Sequence, residues 1–559
     1  MATQEKSNYF LVQGSILAAA SLLVRIIGLI YRIPMTRIIG DEGMGSYNIA
    51  FAVYNLALIL SSYGLPLAVS KLVTARTVVK EHKNAYRVFR ISLIFASVIG
   101  LIATLVLFFG ADFFATVLNE DPFAVLPIKV LAPTIFVFSV MGVFRGFYQG
   151  KNTMIPTAFS QVLEQIINAI VSVAAAYFLM KNYSASVDVT AYGAAGGTLG
   201  TLVGAITGLL FLLFVFMIYK PYLRKQMRHD RSEYQETIGE IFKLLLLTIS
   251  PIILSQTVYH INEVIDNSLF SKIMVTKEVT QFDQSVFSSP ALGQLYSEEH
   301  IRILLGKYGT KYKLLTNVPV AIASAIGAAI VTSITAAKVR GQVHEIRRKT
   351  HVAIKFNMII AIPSAVGMAV LAYPILTMLF PGSHQLEANF LRLGSISIVF
   401  YALSTVSTAI LQGIDKMRIP VINSAISLGL HVVLVFLLLW FTPLSTYSLV
   451  IGNVSFALVV SILNWIAIEK YLAYKQEITK TFIIPTISTG LMGVITHFAY
   501  LGLHKLTGSN AISTLIALVL AVMIYFALLI FMKGLEEEEL LNIPKGESIV
   551  RLLRKLHIL

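Results

Sequence analysis

Runs of about 20 apolar residues recur along the whole chain and decide which folds are open to it. A helix needs about 20 residues to cross the hydrocarbon layer of a bilayer. The 559 residues are 56% hydrophobic and only 13% charged, whereas soluble domains are about 25% charged. The sequence therefore predicts an all-α integral membrane protein. Fourteen candidate transmembrane helices are centred near residues 23, 58, 99, 137, 167, 204, 255, 325, 364, 398, 430, 457, 492 and 521.

The basic residues predict the topology. Thirty-one of the 44 Lys and Arg residues fall in every second connection or at the termini, and eleven fall in the other connections. Lys and Arg concentrate on the cytoplasmic side of membrane proteins, so the sequence predicts a multi-pass protein of the cell membrane with both termini cytoplasmic. The net charge of +15 is then a topology signal rather than evidence for a nucleic-acid partner. The absence of cysteine excludes disulfides and thiolate-bound metals.

Two short motifs occur twice along the chain. YQGKNTMIP at 148–156 returns as LQGIDKMRIP at 411–420, and YGLPLA at 63–68 is echoed by TNVPVA at 316–321. The similar offsets and equivalent sides predict six spans followed by six similar ones, in parallel orientation. Such repeats build two pseudo-symmetric bundles around a midplane site. The alternative is chance similarity between segments that share Gly and Pro punctuation.

The repeat predicts the domain organisation. The predicted parts are an N-terminal six-helix lobe at 1–220, a cytoplasmic linker at 221–240, a C-terminal six-helix lobe at 241–475 with an extracytoplasmic insertion at 272–312, two extra helices at 476–533 and a cytoplasmic tail at 534–559. Within the insertion, SEEHIRILLGKYG predicts a short helix that Ser297 caps and Gly306 ends. The basic amphipathic segment ESIVRLLRKLHIL in the tail predicts either a helix on the inner leaflet or a solvated helix.

Arginines within the first span are the strongest candidates for function. Arg25 lies about fifteen residues into the helix and therefore near mid-bilayer, and Arg32, two turns later, lies within about 20° of the same face. A central Arg costs at least about 2.5–3.5 kcal/mol on insertion scales, so the pair is expected to face a polar cavity. Pro34 predicts a disturbed helix beside it. Arg37 lies nearer the outer rim, where Asp41 or Glu42 could pair with it.

Acids in other spans offer an alternative account of these arginines. Glu164, and Glu263 with Asp266 three residues later on one helical face, could form structural ion pairs with Arg25 and Arg32. The same acids could instead tune an anion-binding cavity, or bind a coupling Na⁺ or H⁺. Lys311 and Lys313, which open the eighth span, would add positive charge to such a cavity.

The segments RIIGLIYRIPMTRIIGDEGMG at 25–45 and GLPLAVSK at 64–71, with the repeated QG…IP motif, resemble the multidrug/oligosaccharidyl-lipid/polysaccharide (MOP) exporter superfamily. Within it, the chain is most similar to the stage V sporulation protein B and lipid II flippase branch, over nearly its whole length. The resemblance implies a V-shaped pair of six-helix lobes, as in MATE and other MOP transporters. It also implies two C-terminal helices that form a groove for a polyprenyl tail.

The family pattern R-x-x-G-x-x-R-D in the first span maps onto this chain in part. Arg25 and Gly28 match, and Arg37 matches a further outer arginine of the family. At the second arginine the chain has Tyr31-Arg32, so the basic residue is shifted by one position and the acid is absent. A basic residue of the family's eighth span corresponds to Lys313. The resemblance thus implies that Arg25, Arg32, Arg37 and Lys313 bind substrate.

The resemblance implies a transporter rather than an enzyme, with no cofactor or metal. The expected activity is flipping of an undecaprenyl-pyrophosphate-linked saccharide, lipid II first of all, by alternating access. The expected partners are that anionic glycolipid and the membrane lipids, with the protein acting as a monomer. Two alternatives stay open: another lipid-linked polysaccharide exporter, of capsule, spore cortex or teichoic type, and a cation-coupled multidrug exporter of the same fold, which would need a cavity dominated by unpaired acids. A membrane glycosyltransferase is disfavoured because no catalytic motif is present.

Overall fold

The computed structural model describes residues 2–230, 232, 235–283, 293–380, 382 and 384–535. Within these ranges the regular structure is helical, apart from one isolated bridge between Glu278 and Leu295. The helices are α1 (Ala2–Ser61), α2 (Leu65–Val78), α3 (His82–Phe109), α4 (Val125–Gly150), α5 (Ile155–Asn182), α6 (Val189–Arg228), α7 (Ile238–Met274), α8 (Glu298–Gly306), α9 (Leu314–Val339), α10 (Val343–Val370), α11 (Ala372–Leu379), α12 (Gln385–Gly394), α13 (Ser397–Gly413), α14 (Arg418–Phe441), α15 (Thr446–Leu472), α16 (Ile484–Thr507) and α17 (Asn510–Phe531).

The predicted all-α membrane class is confirmed, whereas the number of fourteen spans is not. In the described part of the chain, ten helices are long and apolar enough to cross a membrane, or eleven if α12 and α13, bent by 44°, form one span. The predicted spans centred near 23 and 58 fall in a single continuous segment, Ala19–Val78. Those centred near 255 and 325 fall in α7 and α9, in which some of the side chains are not described.

Helix α1 breaks at Gly40 and not, as predicted, beside Pro34. Gly40 has φ 77° and ψ 171°, a conformation that is essentially restricted to glycine. Pro34 stays inside the helix. Near it, the Thr36 hydroxyl donates a 2.7 Å hydrogen bond to the carbonyl oxygen of Arg32. The polar segment around the kink therefore lies several residues beyond the arginine pair.

Small residues let α5 and α6 pack closely. A Cβ at Gly196 would meet the backbone of Ala176, and one at Gly204 would meet the carbonyl oxygen of Glu164. The Ser172 hydroxyl donates a 2.7 Å hydrogen bond to the carbonyl oxygen of Gly197 across the same seam. The close packing of α5 on α6 fixes the position of Glu164 along the interface between these helices.

The chain forms two compact units, one of residues 1–310 with 436–446 and the other of 311–435 with 447–559. In the first unit, Ile241, Leu245 and Ile249 of α7 join a core built by α2, α3, α4 and α6. This division differs from the lobe boundary expected near residue 240. The six-plus-six organisation by repeat stays a prediction.

The predicted short helix in the insertion is confirmed as α8. The Ser297 hydroxyl accepts a 3.2 Å hydrogen bond from the backbone N–H of His300, which caps the helix. Gly306 ends α8, but the chain continues through a π-helical turn, Lys307–Lys313, directly into α9. A Cβ at Gly306 would overlap the carbonyl oxygen of Asp41, so glycine lets α8 lie directly on the kinked part of α1.

The second unit has its main core among α9, α10, α13 and α15. The two additional helices, α16 and α17, pack on α10, where the Tyr525 hydroxyl donates a 2.9 Å hydrogen bond to the carbonyl oxygen of Ile359. At the other end of α17, the Asn510 amide donates to the carbonyl oxygen of Pro374 at 3.0 Å. The predicted amphipathic tail segment lies outside the described residues.

Candidate functional site

The three arginines of α1 have different surroundings. Arg25 and Arg37 are exposed, and Arg32 is half-buried. Within the described residues Arg25 has no hydrogen-bond or ion-pair partner, although it lies in an apolar helix. Beside it, a Cβ at Gly28 would lie 3.3 Å from the amide nitrogen of Gln165, so this face of α1 approaches α5. The family-like Arg25–Gly28 pair therefore lies on the α5 side of the first unit.

Arg32 lies over an aromatic ring. Its guanidinium carbon is 6.0 Å from the centre of the Tyr47 ring, at the outer limit of a cation–π contact. The Tyr31 and Tyr47 hydroxyl oxygens are 3.5 Å apart, and both rings are buried. Glu263 on α7 acts electrostatically on the same guanidinium. Tyr47 was not predicted because it follows the kink at Gly40, and no spacing rule relates it to Arg32.

Glu164 is ion-paired with Arg145 of α4, not with Arg25 or Arg32. The Arg145 Nη2 to Glu164 Oε2 distance is 2.7 Å, and Arg145 Nε donates to the Ser160 hydroxyl at 3.1 Å. By the charge pattern of the sequence, Arg145 belongs to one of the basic connections predicted to be cytoplasmic. In the structure it lies inside α4 and is 9% exposed. The helical periodicity of α4 could have indicated this position, because it places Arg145 on the face that packs against α5.

Glu263 and Asp266 lie in a polar stretch of α7 within the first unit. Asp266 is buried, as are its neighbours Asn262 and Asn267. Four polar residues within two turns of one apolar helix are costly unless each has a partner. The expected shared face of Glu263 and Asp266 is consistent with the helical conformation of Ile238–Met274.

Lys313 belongs to the second unit, at the end of the π-helical turn. Its neighbour Lys311 is buried and donates a 2.9 Å hydrogen bond to Glu387 Oε1. The same oxygen is 3.2 Å from His384 Nδ1. Glu387 and His384 were not predicted as polar partners, because they fall at a break between apolar segments where sequence patterns indicate only a loop.

The kinked part of α1 carries a second ionic cluster, formed with the insertion. Arg302 of α8 contacts Glu42 at 3.0 Å and the buried Asp121 at 3.6 Å, and its guanidinium lies 4.1 Å from the centre of the Phe123 ring. Lys307 contacts Asp41 at 3.1 Å. Burial raises the pKa of Asp121 to about 6, against the opposing effects of hydrogen bonds and Arg302. Asp41 and Glu42 thus anchor the insertion.

The fold is that of MOP-superfamily transporters. A multidrug resistance MATE family transporter of that superfamily, in an inward-facing conformation, superposes with a TM-score of 0.63 at 17% identity, covering 82% of this chain and 98% of the transporter. The lipid II flippase MurJ in an inward closed conformation also superposes with a TM-score of 0.63, at 16% identity, covering 92% of this chain and 97% of the flippase. At such identities the likeness concerns the fold alone.

Sequence comparison identifies the family. The profile described as polysaccharide biosynthesis protein matches residues 11–336, and the profile described as MatE matches 314–437. The chain therefore belongs to the polysaccharide biosynthesis protein family, within the MOP superfamily. It is a multi-pass membrane transporter and not an enzyme.

Two relatives from Bacillus subtilis indicate the branch of the superfamily. Lipid II flippase MurJ is 27% identical over 439 residues, which cover 76% of each chain. Stage V sporulation protein B is 24% identical over 549 residues, covering 97% of this chain and 99% of the relative. The predicted resemblance to the lipid II flippase and stage V sporulation protein B branch is confirmed.

Proposed function

We propose that this transporter flips an undecaprenyl-pyrophosphate-linked saccharide across the cell membrane, and that lipid II is its first candidate substrate. The observation that carries the proposal is the arginine pair, Arg25 and Arg32, in an apolar helix of a chain that is similar to lipid II flippase MurJ. A charge at that depth is retained where it serves transport.

The chemistry of the head group matches this pair. A pyrophosphate carries two or more negative charges, and a guanidinium presents a planar fork that suits phosphate oxygens. Arg25 is exposed and has no ionic partner among the described residues, so its donors are available to a ligand. Arg32 lies over an aromatic ring, which adds no negative charge beside the guanidinium. Arg37 and Lys313 are proposed as further contacts, and the lipid tail would stay in the bilayer.

The acids are proposed to tune the cavity or to couple transport to a cation. A carboxylate beside a pyrophosphate is repulsive, so Glu263 and Asp266 need another purpose. They could hold basic side chains while the site is empty, or bind Na⁺ or H⁺ and release it as the transporter changes state. Transport into vesicles with imposed Na⁺ and pH gradients separates these roles. Indifference to both gradients leaves only the structural role.

A related glycolipid exporter is the second candidate. The similarity to stage V sporulation protein B extends over 97% of this chain, further than the similarity to MurJ, and favours a lipid-linked saccharide used in sporulation. A cation-coupled multidrug exporter is less well supported. It needs acids available to cationic drugs, whereas Glu164 is already paired with Arg145 at 2.7 Å.

Complementation tests the substrate. We expect the wild-type chain, at normal expression, to restore growth of a bacterium depleted of its lipid II flippase. Arg25→Ala and Arg32→Ala should fail while the protein accumulates in the membrane, and lysine should rescue poorly because it loses the bidentate fork. Arg224→Ala, at an exposed position near the end of α6, is the matched control and should complement. Failure of the wild type would remove lipid II and leave the sporulation glycolipid.

The proposal includes both termini in the cytoplasm and a monomeric transporter. Because the chain has no cysteine, a single cysteine introduced at any position is labelled uniquely. Cysteines placed in the N-terminal segment, in the connection at 473–478 and at the C-terminus should react with a membrane-impermeant maleimide only after the cells are opened. Labelling in intact cells would reverse the orientation.

A further inference from the structure

We propose that the first unit carries a binding site for an anionic phospholipid at the polar end of α3, separate from the arginines of α1. A cavity of about 420 Å³ opens there. It is lined by three cations, Lys83, Arg87 and Arg90, and by a wall of aliphatic side chains, chiefly Ile91, Ile94 and Ile238. The proposed flippase activity does not involve these residues.

The cations lie on one face of α3. Lys83 and Arg87 are four residues apart and Arg90 follows three residues later, so the three side chains project from the same side of the helix. Arg87 Nη1 donates a 3.1 Å hydrogen bond to the side-chain oxygen of Gln235, a neutral group. Among the described residues neither Arg87 nor Arg90 has a carboxylate partner. The cavity therefore presents guanidinium donors without a protein anion.

Two acids in the segment that borders the cavity are engaged in hydrogen bonds. Glu236 accepts hydrogen bonds from Arg76 at 2.8–3.1 Å, through both carboxylate oxygens. Asp230 accepts from the backbone N–H groups of Lys83 at 2.6 Å and Ser232 at 2.8 Å. These bonds lower the pKa of Asp230, which keeps it ionised and fixed at the rim. The net charge of the cavity lining is thus positive.

Two isoleucines of the apolar wall follow the cations along α3. From Arg87, Ile91 is one turn and Ile94 two turns further along α3, towards its apolar end, or about 6 and 10 Å by helical rise. Ile94 and Ile238 are 63% and 64% exposed, far more than core residues. A cationic rim above an exposed aliphatic groove fits a phosphate head group with an acyl chain below it. A soluble phosphate would use only the rim.

Lipid binding to the purified full-length protein tests the site. In native mass spectrometry from detergent, we expect phosphatidylglycerol to bind at least about tenfold more tightly than phosphatidylcholine. Arg87→Gln combined with Arg90→Gln should weaken phosphatidylglycerol binding about tenfold. The control pair, Arg224→Gln with Arg228→Gln, removes the same charge from exposed positions of α6 that do not line the cavity, and should change binding less than twofold.

A second set of variants separates lipid from soluble anion. Ile94→Ser and Ile238→Ser should weaken phosphatidylglycerol binding several-fold and leave the binding of glycerol phosphate unchanged. The isoleucine variants also test the site if the arginine variants do not fold. The proposal is overturned if phosphatidylglycerol binds the cavity variants as it binds the wild type. It is equally overturned if the control pair loses as much affinity, or if glycerol phosphate binds as tightly as the lipid.

Discussion

The ion pair between Arg145 and Glu164 offers the sharpest test of how the first unit handles charge within its helices. Replacing Arg145 with Met keeps an unbranched apolar stem and removes the guanidinium with its charge. It leaves Glu164 without its 2.7 Å partner and Ser160 without the 3.1 Å bond from Arg145 Nε. The glutamate is then an uncompensated charge inside a helical bundle. We expect this change to lower the stability of the unit.

The magnitude follows from the burial of the pair. The side chains of Arg145 and Glu164 are 10% and 17% exposed. Breaking a buried pair from one side costs about 3–5 kcal/mol, and the residual exposure favours the lower end, about 3 kcal/mol. With an unfolding entropy of about 2.1 cal/mol/K per residue over a unit of about 300 residues, 1 kcal/mol corresponds to about 1.5 °C in Tm. The expected loss is therefore about 4–5 °C.

A double-mutant cycle measures the coupling. Arg145→Met, Glu164→Leu and the double variant are heated in detergent for a fixed time, and the remaining monomer is measured by size-exclusion chromatography, since unfolding of such proteins is irreversible. The double variant should recover most of the loss because it leaves no unpaired charge. The exposed pair Lys129–Asp112, at 3.1 Å, is the control and should contribute less than about 1 kcal/mol.

The coupling is refuted if the stability losses of the two single variants simply add in the double variant. It also fails if Glu164→Gln is at least as stable as the wild type and alters the response of transport to pH. The first outcome would mean that the two side chains do not depend on each other. The second would assign Glu164 to cation coupling, as one of the sequence-based alternatives has it.

Three further predictions concern the kink and its surroundings. Burial raises the pKa of Asp121 to about 6, so the ionised carboxylate destabilises the folded state above that pH, and this penalty declines as the pH falls from 6 towards 4. Asp121→Asn should therefore be more stable than the wild type at pH 7.5, by at most about 3 kcal/mol, and should lose most of this advantage near pH 4 in melting curves. A stability difference that does not change with pH would contradict this prediction. Gly40→Ala should lower stability by about 1–3 kcal/mol, because the positive φ of Gly40 strains any residue with a Cβ. The control Gly429→Ala, in open space on α14, should be neutral or stabilising by up to about 1 kcal/mol. Equal thermal shifts for the two variants would refute the role of strain at Gly40. Tyr47→Leu should reduce complementation without reducing the protein level, whereas Tyr47→Phe, which keeps the ring under Arg32, should complement. Loss of complementation in both variants would assign the role to the hydroxyl.

The membrane class and most helices could be predicted because they depend on long apolar runs, which sequence records directly. The capped helix α8 was also predictable, since Ser297 and the acids that follow it form a local signal. The break in α1 was not located correctly. Pro34 is the stronger helix breaker by rule, but it stays inside the helix. Gly40 looks unremarkable until its φ is known.

The pairing of charges was beyond sequence reasoning for a different reason. Glu164 could meet any cation on a helix that packs against α5, and the sequence does not state which helices do. Arg145 was assigned to a cytoplasmic connection by the topology rule, which counts arginines near the ends of spans without regard to their direction. Its helix continues to Gly150, so Arg145 still lies within α4 and faces inward to Ser160 and Glu164. The pairing of Glu164 with Arg145 depends on which helices are neighbours and on which side of α4 Arg145 lies, and both are properties of the tertiary structure.

The shift of one residue at Tyr31-Arg32 has a physical meaning that the structure makes visible. In the family pattern an acid follows the second arginine, and a carboxylate there would cancel part of the positive charge. In this chain Tyr31 takes the arginine position and is buried, with its hydroxyl facing that of Tyr47. Arg32 moves about 100° around the helix and lies over the Tyr47 ring. An aromatic ring stabilises a cation through its quadrupole without contributing a negative charge. The departure from the family pattern therefore preserves a positively charged side chain in the span, which is the property that an anionic head group requires.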